Sequence, residues 1–147
     1  MRARLPHITV VAAILGVLAF AAVSQAQTDT DQLAPSWAKL NVCSPTQVGA
    51  RAQLAGDGTQ NGMYVRFSLQ WLSDTGWVPL GGSATSPWIS AGTADLTWQQ
   101  AGYTFNLNPL QAGQTYQIRA LAELQWRGGA KAVHSASYTT GTCTVSG

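Results

Sequence analysis

The chain has 147 residues, of which 46% are hydrophobic and only 10% are charged, and its formal net charge is +2. Two of its eight basic residues, Arg2 and Arg4, lie in an N-terminal segment that we predict to be removed. The remaining six basic residues are balanced in number by six acidic residues. Such a neutral chain lacks the basic field that attracts phosphate backbones, so the composition argues against nucleic-acid binding.

Residues 1–26 have the three parts of an export signal. Arg2, Arg4 and His7 form a basic start, residues 8–23 are almost entirely apolar, and small residues precede a cleavage site after Ala26. The apolar run is shorter than the roughly 20 residues of a membrane span, although an uncleaved anchor is the alternative. We therefore expect a secreted protein, extracellular or at the cell surface, with no membrane segment in its mature form.

After the signal, residues 27–36 form a polar stretch that we predict to be a flexible lead-in, and residues 37–147 form a single domain. Two cysteines, Cys43 and Cys143, lie near its two ends. In an exported chain such a pair favours a structural disulfide. The alternative is a reactive thiol, which needs a neighbouring base, and neither cysteine has one beside it in sequence.

The domain is dominated by two-residue periodicity, which is typical of half-buried strands. Turn-forming Gly, Pro, Asn and Asp residues separate the alternating segments, and Ser73 to Gly76 predicts a tight hairpin. No segment shows a sustained helical period, so we predict an all-β fold, an antiparallel sandwich of seven or eight strands. The predicted strands are 39–43, 48–54, 63–71, 77–80, 96–98, 103–107, 115–126 and 130–140.

The segment 110–120, LQAGQTYQIRA, resembles the turn that enters strand F of fibronectin type III domains. The resemblance implies that Tyr116 is the corner tyrosine and Leu110 the apolar residue beneath it. It also implies an immunoglobulin-like or fibronectin-like sandwich, in which Cys43 and Cys143 reach the same end. The chain departs from that family in two places: the second strand lacks a tryptophan, and the stretch 81–94 is longer and less regular.

Six tryptophans are many for a domain of this size. Indole rings on the outside of a sandwich can stack on sugar rings, while neighbouring amides bind hydroxyl groups. Because Trp71, Trp98 and Trp126 continue predicted strands, we expect them to pack. Trp37 and Trp88 are expected to be the most exposed, with Trp77 intermediate. The candidate binding residues are Trp37, Trp77 and Trp88.

Catalytic and metal sites find little support in the sequence. His134 is the one histidine outside the predicted signal, and a solvated or locally bonded role explains it better than a general base. Asp57 to Gly62 partly resembles a calcium loop, but Ser68 stands where a closing glutamate is needed. We therefore predict no catalytic residues, no metal and no cofactor.

Three functions are compatible with these observations. The first is a secreted, non-enzymatic sandwich module that acts through contacts with proteins or with the cell envelope. The second is a carbohydrate-binding module that uses exposed tryptophans, so that the expected partner is an extracellular protein or a glycan. The third is a small secreted hydrolase. The fold by itself does not choose among them, because sandwiches host many functions.

Overall fold

A computed structural model describes residues 35–147, which are almost entirely β-structure. The predicted signal and residues 27–34 of the predicted lead-in lie outside the described residues. Within 35–147 no helix is long and apolar enough to cross a membrane. The elements are Trp37–Cys43 (β1), Gln47–Ala55 (β2), Gly62–Ser73 (β3), Gly76–Pro79 (β4), a 3-10 turn at Gly82–Ala84, Ile89–Thr93 (β5), Trp98–Asn106 (β6), Thr115–Gly128 (β7), Lys131–Thr139 (β8) and Cys143–Ser146 (β9). The predicted all-β class is confirmed.

The strands form two antiparallel sheets. The three-stranded sheet has the order β1-β2-β6. In the six-stranded sheet, β3 and β7 are central, and they pair from Gly62↔Arg127 to Trp71↔Ile118 without a register shift. β4 and β5 pair with opposite ends of β3, and β8 and β9 pair with opposite ends of β7.

One hydrophobic core lies between the two sheets, because alternate residues of a strand point to opposite faces. On β3, every second residue is fully buried, and Phe67 is the largest of these side chains. The matching row on β2 is small, with two alanines, which lets the sheets approach closely. The buried apolar residues of the core strands are Val48, Ala50, Ala52, Leu54, Met63, Val65, Phe67, Leu69, Phe105, Ile118, Ala120, Ala122, Leu124, Trp126, Cys143 and Val145.

Two specific links join the sheets. Cys43 of β1 and Cys143 of β9 form the predicted disulfide, with 5.8 Å between their Cα atoms. The bond therefore ties an edge strand of the three-stranded sheet to the six-stranded sheet. In the second link, the buried Trp126 donates its indole N–H to the carbonyl oxygen of Ala55 at 3.0 Å. Trp126 is packed, as expected from its place in the alternating row.

Several predicted strands are present with different bounds. The hairpin at Ser73 to Gly76 is confirmed as the connection between β3 and β4. In place of the two predicted strands 96–98 and 103–107, the structure has one strand, β6 (Trp98–Asn106), that pairs with β2 along its whole length. Around Gly102 the apolar residues of the sequence change from even-numbered to odd-numbered positions, whereas the backbone pairing with β2 continues without a register shift. Leu96 lies outside the strand and is exposed.

The predicted final strand 130–140 is present as β8, Lys131–Thr139, and a further strand, β9, follows it. β8 ends at Thr139, and β9 begins only at Cys143. Between them the hydroxyl of Thr140 accepts a hydrogen bond from the Ala120 N–H at 2.9 Å and donates one to the Gly141 carbonyl at 2.7 Å. Such side-chain bonds to backbone groups compete with the ladder and interrupt it. β5 is a further strand, which the irregular sequence of 81–94 did not predict.

The last two residues of the predicted lead-in are bonded to β2. The Ser36 hydroxyl accepts a hydrogen bond from the Ala55 N–H at 2.9 Å. The Pro35 carbonyl accepts one from the side-chain amide of Gln53 at 3.0 Å. Residues 35 and 36 are therefore joined to β2 by two hydrogen bonds that involve side chains.

Candidate functional site

An apolar cleft of about 460 Å³ opens at one end of the core, between the two sheets. Its floor is formed by inward-facing residues of β3 and β7, including Trp71 and Tyr116, which meet edge to face with 5.9 Å between ring centroids. Its rim carries a few polar groups, among them Asn106, Asn108 and Ser83. The remaining lining residues are Leu69, Leu80, Gly81, Ala84, Phe105, Leu107, Leu110 and Ile118.

The cleft arises because the two sheets differ in length. β3 and β7 have 12 and 14 residues, whereas β2 and β6 have nine each. The long strands therefore carry Trp71 and Tyr116 beyond the point where β6 ends. The loop after β6 covers them only partly, through Leu107 and Leu110.

One lip of the cleft is the segment that follows β4. It is fixed to β3 at two points, where the Leu80 N–H donates to Leu69 O at 3.0 Å and the Ser86 N–H donates to Phe67 O at 2.8 Å. Between these points Gly81 and Gly82 have φ values of 70° and 54°, a conformation that favours glycine. Leu80 stands at the mouth with 42% of its surface exposed.

Leu110 and Tyr116, the residues predicted to form the corner, flank the turn that enters β7 and line the same cleft. Gly113 has φ 85°, and the Gln114 N–H closes the turn on Gln111 O at 3.0 Å. Leu110 packs against the core, and Tyr116 is half-buried. The two residues predicted for the corner thus form part of one wall of the cleft.

Trp88 lies on the outer face of the six-stranded sheet, where aromatic and guanidinium groups alternate. The Arg66 and Arg127 guanidiniums lie 4.8 and 4.7 Å from its ring centroid. Arg127 also lies 4.4 Å from the ring of Tyr64, and Arg66 forms a 2.8 Å ion pair with Glu123. We call Tyr64, Arg66, Trp88, Glu123 and Arg127 the arginine ladder.

Trp77 of β4 is on the same outer face, beside Leu72 near the C-terminal end of β3. The guanidinium of Arg119 lies 4.3 Å from its ring centroid. Arg119 is itself fixed by a 2.8 Å hydrogen bond from its Nε to the Gln70 side chain. Cationic groups thus lie against the rings of both Trp77 and Trp88, so a sugar stacking there would have to displace a guanidinium.

Trp37 is separated from the other two candidates, because it belongs to β1 of the three-stranded sheet. The expectation that Trp37 and Trp88 are the most exposed tryptophans is wrong, since both are half-buried. Both rings are partly covered by cationic side chains. The Lys39 ammonium lies 4.6 Å from the Trp37 ring centroid, and two guanidinium groups lie against the Trp88 ring. Trp98, which we expected to pack, is 47% exposed. The register of β6 decides this, and it was not visible in the sequence.

His134 packs on the Trp126 ring with 4.8 Å between the ring centroids. The carboxylates of Asp57 and Asp95 accept hydrogen bonds from neighbouring threonines. Asp57 accepts hydrogen bonds from the backbone and side chain of Thr59, and the side-chain bond is the main reason why its pKa is lowered. The pKa of Asp95 is lowered chiefly by the hydroxyl of Thr93. The imidazole of His134 and the carboxylates of Asp57 and Asp95 are therefore each held by contacts within the fold.

The calcium-like segment folds as a turn around Asp57. Its carboxylate binds Thr59, and the Asp57 and Gly58 N–H groups both donate to the carbonyl of Ala94. Within residues 35–147 no group of three or more His, Cys, Asp or Glu side chains is arranged to hold a metal ion. Comparison with known proteins gives no family model that matches the chain and no curated protein of detectable similarity.

Proposed function

We propose that this chain is an exported, non-enzymatic binding module with an immunoglobulin-like or fibronectin-like sandwich architecture. In such sandwiches strands A, B and E lie in one sheet and strands C, F and G in the other. The order β1-β2-β6 in one sheet and β3-β7-β8 in the other corresponds to that arrangement. The turn with Leu110 and Tyr116 before β7 supports the same assignment.

Export is supported by two independent features. The sequence of residues 1–26 is typical of a secretory signal. The Cys43–Cys143 disulfide is a bond that persists in oxidising compartments and is rare in the cytosol. The mature chain then acts outside the cytoplasm, where its sparse charge and neutral balance suit contacts with other surfaces.

The observation that carries the binding function is the apolar cleft. Its volume of about 460 Å³ is that of a ligand pocket, and apolar walls with a few polar groups at the rim are typical of such pockets. The occupant is a bulky apolar side chain of a partner protein. Burying it stabilises the complex by about 25 cal/mol per Å² of apolar surface removed from water.

The non-enzymatic assignment is supported by the positions of the titratable groups. His134 rests on Trp126, and Glu123 is paired with Arg66 on an outer face. Glycoside cleavage needs two facing carboxylates, and acyl transfer needs a base beside a nucleophile. The groups that could serve are engaged elsewhere and do not line the cleft.

The test compares Leu80→Asp with Leu96→Asp. Both leucines are exposed, but only Leu80 lies at the mouth of the cleft. An apolar fluorescent dye is expected to bind the wild type and Leu96→Asp with one saturable site, and to bind Leu80→Asp much more weakly. Equal titrations for all three proteins would contradict the proposal.

A second experiment tests whether a partner protein contacts the cleft. A photo-crosslinking amino acid placed at Ser83, on the rim, is compared with the same group at Thr144 on β9, outside the cleft. With surface extracts of the native cells, the expected result is a protein adduct from position 83 that the dye suppresses. An adduct from both positions, unaffected by the dye, would show that the cleft is not the site.

A further inference from the structure

The outer face of the three-stranded sheet forms rows of side chains, because residues paired across antiparallel strands share a face. At one end, Ala55 of β2 pairs with Trp98 of β6. The next row is Trp37, Gln53 and Gln100. The row after that is Lys39, Arg51 and Gly102. We call these three rows the tryptophan–amide face.

Trp98 differs from the other tryptophans in having an open ring. Trp37, Trp77 and Trp88 lie beside cations, Trp71 meets Tyr116, and Trp126 is buried against His134. Among the described residues, no aromatic or cationic group stacks on Trp98, and 47% of its surface is exposed. An exposed indole of this kind offers a flat apolar surface to a ligand.

A fixed pair of amides lies beside this ring. Gln100 donates its side-chain N–H to the Gln53 side-chain oxygen at 3.0 Å. Gln53 in turn donates to the Pro35 carbonyl at 3.0 Å. Each amide has two N–H donors and one carbonyl oxygen, so these bonds leave the oxygen and one N–H of Gln100 for a ligand, whereas Gln53 is buried and holds Gln100 in place. Such a fixed amide suits hydroxyl groups.

Two cations lie directly opposite each other in the third row. Lys39 pairs with Arg51, and like charges in that position are unfavourable. The sequences of β1, β2 and β6 contain no Asp or Glu. Their neighbour on β6 is Gly102, where an added Cβ would come within 2.9 Å of the Ala50 carbonyl oxygen, so no side chain of β6 lies over Arg51. The row therefore leaves positive charge for an anionic group.

We propose that the tryptophan–amide face binds an acidic oligosaccharide, with a pyranose ring on Trp98, hydroxyl groups on Gln100, and a carboxylate at Arg51 and Lys39. Trp98 and Gly102 are four residues apart on β6, a span of roughly 13 Å. The ligand therefore extends over more than one sugar. Uronic acid residues supply both the ring and the carboxylate that these rows require.

The experiment titrates the full chain with tetragalacturonate, following tryptophan fluorescence and heat. Three probes accompany it: the fully methyl-esterified tetrasaccharide, a tetramer of glucuronic acid and tetraglutamate, which carries the same carboxylates without sugar rings. The expected result is saturable binding of one or both uronic acid oligomers, weakened by salt. The ester and the peptide are expected to bind at least about tenfold more weakly.

Three variants locate the site. Trp98→Ala is expected to weaken binding about tenfold by removing the stacking surface. Arg51→Gln should reduce affinity for the acid to the level of the ester and remove most of the salt dependence. Trp88→Ala, on the opposite sheet, should leave the affinity unchanged. Thermal melts ensure that each variant is folded at the temperature of the titration.

Four outcomes would overturn the proposal. They are no saturable binding of either uronic acid oligomer by the wild type, equal binding of tetraglutamate, unchanged affinity in Trp98→Ala, and loss of affinity in folded Trp88→Ala. Equal binding of tetraglutamate would instead assign the face to an acidic protein segment. Each result is independent of the apolar cleft, because Leu80→Asp is expected to bind the oligosaccharide like the wild type.

Discussion

The two outer faces of the molecule use the same kinds of side chain in different ways. On the six-stranded sheet, Arg66 and Arg127 lie against Trp88, and Glu123 neutralises Arg66. On the three-stranded sheet, Trp98 has an open ring, and Arg51 is paired across the strands with another cation. The presence of a cation against the ring distinguishes Trp88 from Trp98.

The difference has an energetic meaning. A cation over an indole contributes about 0.5 to 1 kcal/mol at an exposed site, so the contacts of the arginine ladder together stabilise the six-stranded sheet modestly. Trp98 makes no comparable contribution, and its exposed apolar surface is unfavourable in water. Trp98 is therefore available for the oligosaccharide contact proposed above.

The largest expected effect comes from the core that both faces share. Phe67→Ala should destabilise the protein by about 3 to 5 kcal/mol, because it leaves a cavity beneath the arginine ladder and opposite the three-stranded sheet. Denaturant unfolding measures the loss. Ser68→Ala, at the next position and facing outward, is the control and should change stability by less than about 0.5 kcal/mol. Similar losses in both variants would mean that β3 does not have the assigned inner face.

The disulfide tests whether the two sheets depend on each other. Reduction should lower the free energy of unfolding by about 2 to 5 kcal/mol, because a loop of 100 residues is no longer closed in the unfolded chain. Thermal melts with and without reductant measure this change. In the Cys43→Ser/Cys143→Ser double variant, reductant should have no further effect. An unchanged melting temperature of the reduced wild type would contradict the stabilising role of the bond.

The comparison of Trp88 with Trp98 is a matched pair of substitutions. Trp88→Ala should cost about 1 to 2 kcal/mol, since two cation–π contacts and partial burial are lost. Trp98→Ala should stay within about 0.5 kcal/mol, because its ring supports little of the fold. Denaturant unfolding of the two variants decides between them. A larger loss for Trp98→Ala would reverse the roles assigned to the two faces.

The smallest expected effect is the loss of stability at acidic pH. The Thr59 and Thr93 hydroxyls bind the carboxylates of Asp57 and Asp95 and lower their pKa values in the folded state. Their stabilising contribution is therefore complete above the usual aspartate pKa of about 3.9 and is lost as the pH falls through the lower folded-state values. Unfolding measured between neutral and acidic pH should show this decline.

The threonine variants provide the control. In Thr59→Val and Thr93→Val the acid-dependent loss of stability should be smaller, because the carboxylate no longer gains a hydroxyl partner on folding. Near neutral pH these variants start from a slightly lower stability. An acid limb identical to that of the wild type would show that neither hydrogen bond is formed in solution.

Much of the fold could be predicted because it depends on local alternation. The buried row of β3 and that of β7 follow directly from every second residue, and Trp126 packs as its position in that row indicates. The Cys43–Cys143 bond follows from an exported chain with one pair of cysteines. β5 and β9 could not be predicted, since pairing with distant strands determines them.

The surface sites were harder to predict, because they depend on contacts between segments that are distant in the sequence. Trp88 was expected to be exposed because it lies in an irregular segment, but distant arginines of β3 and β7 cover it. Trp98 was expected to pack because it continues a strand, but its register directs it outward. The cleft depends on the unequal lengths of paired strands, which no single segment reveals.

The bond between Cys43 and Cys143 also determines how the molecule carries force. Tension applied before the first cysteine and after the second passes through the covalent link, since the 100-residue loop lies in parallel with it. Under such a load the hydrogen-bonded ladders inside the loop are not pulled apart. The apolar cleft and the arginine ladder lie entirely between the two cysteines and keep their shape under this load, whereas Trp37 and Lys39 precede Cys43 and lie on the pulled segment.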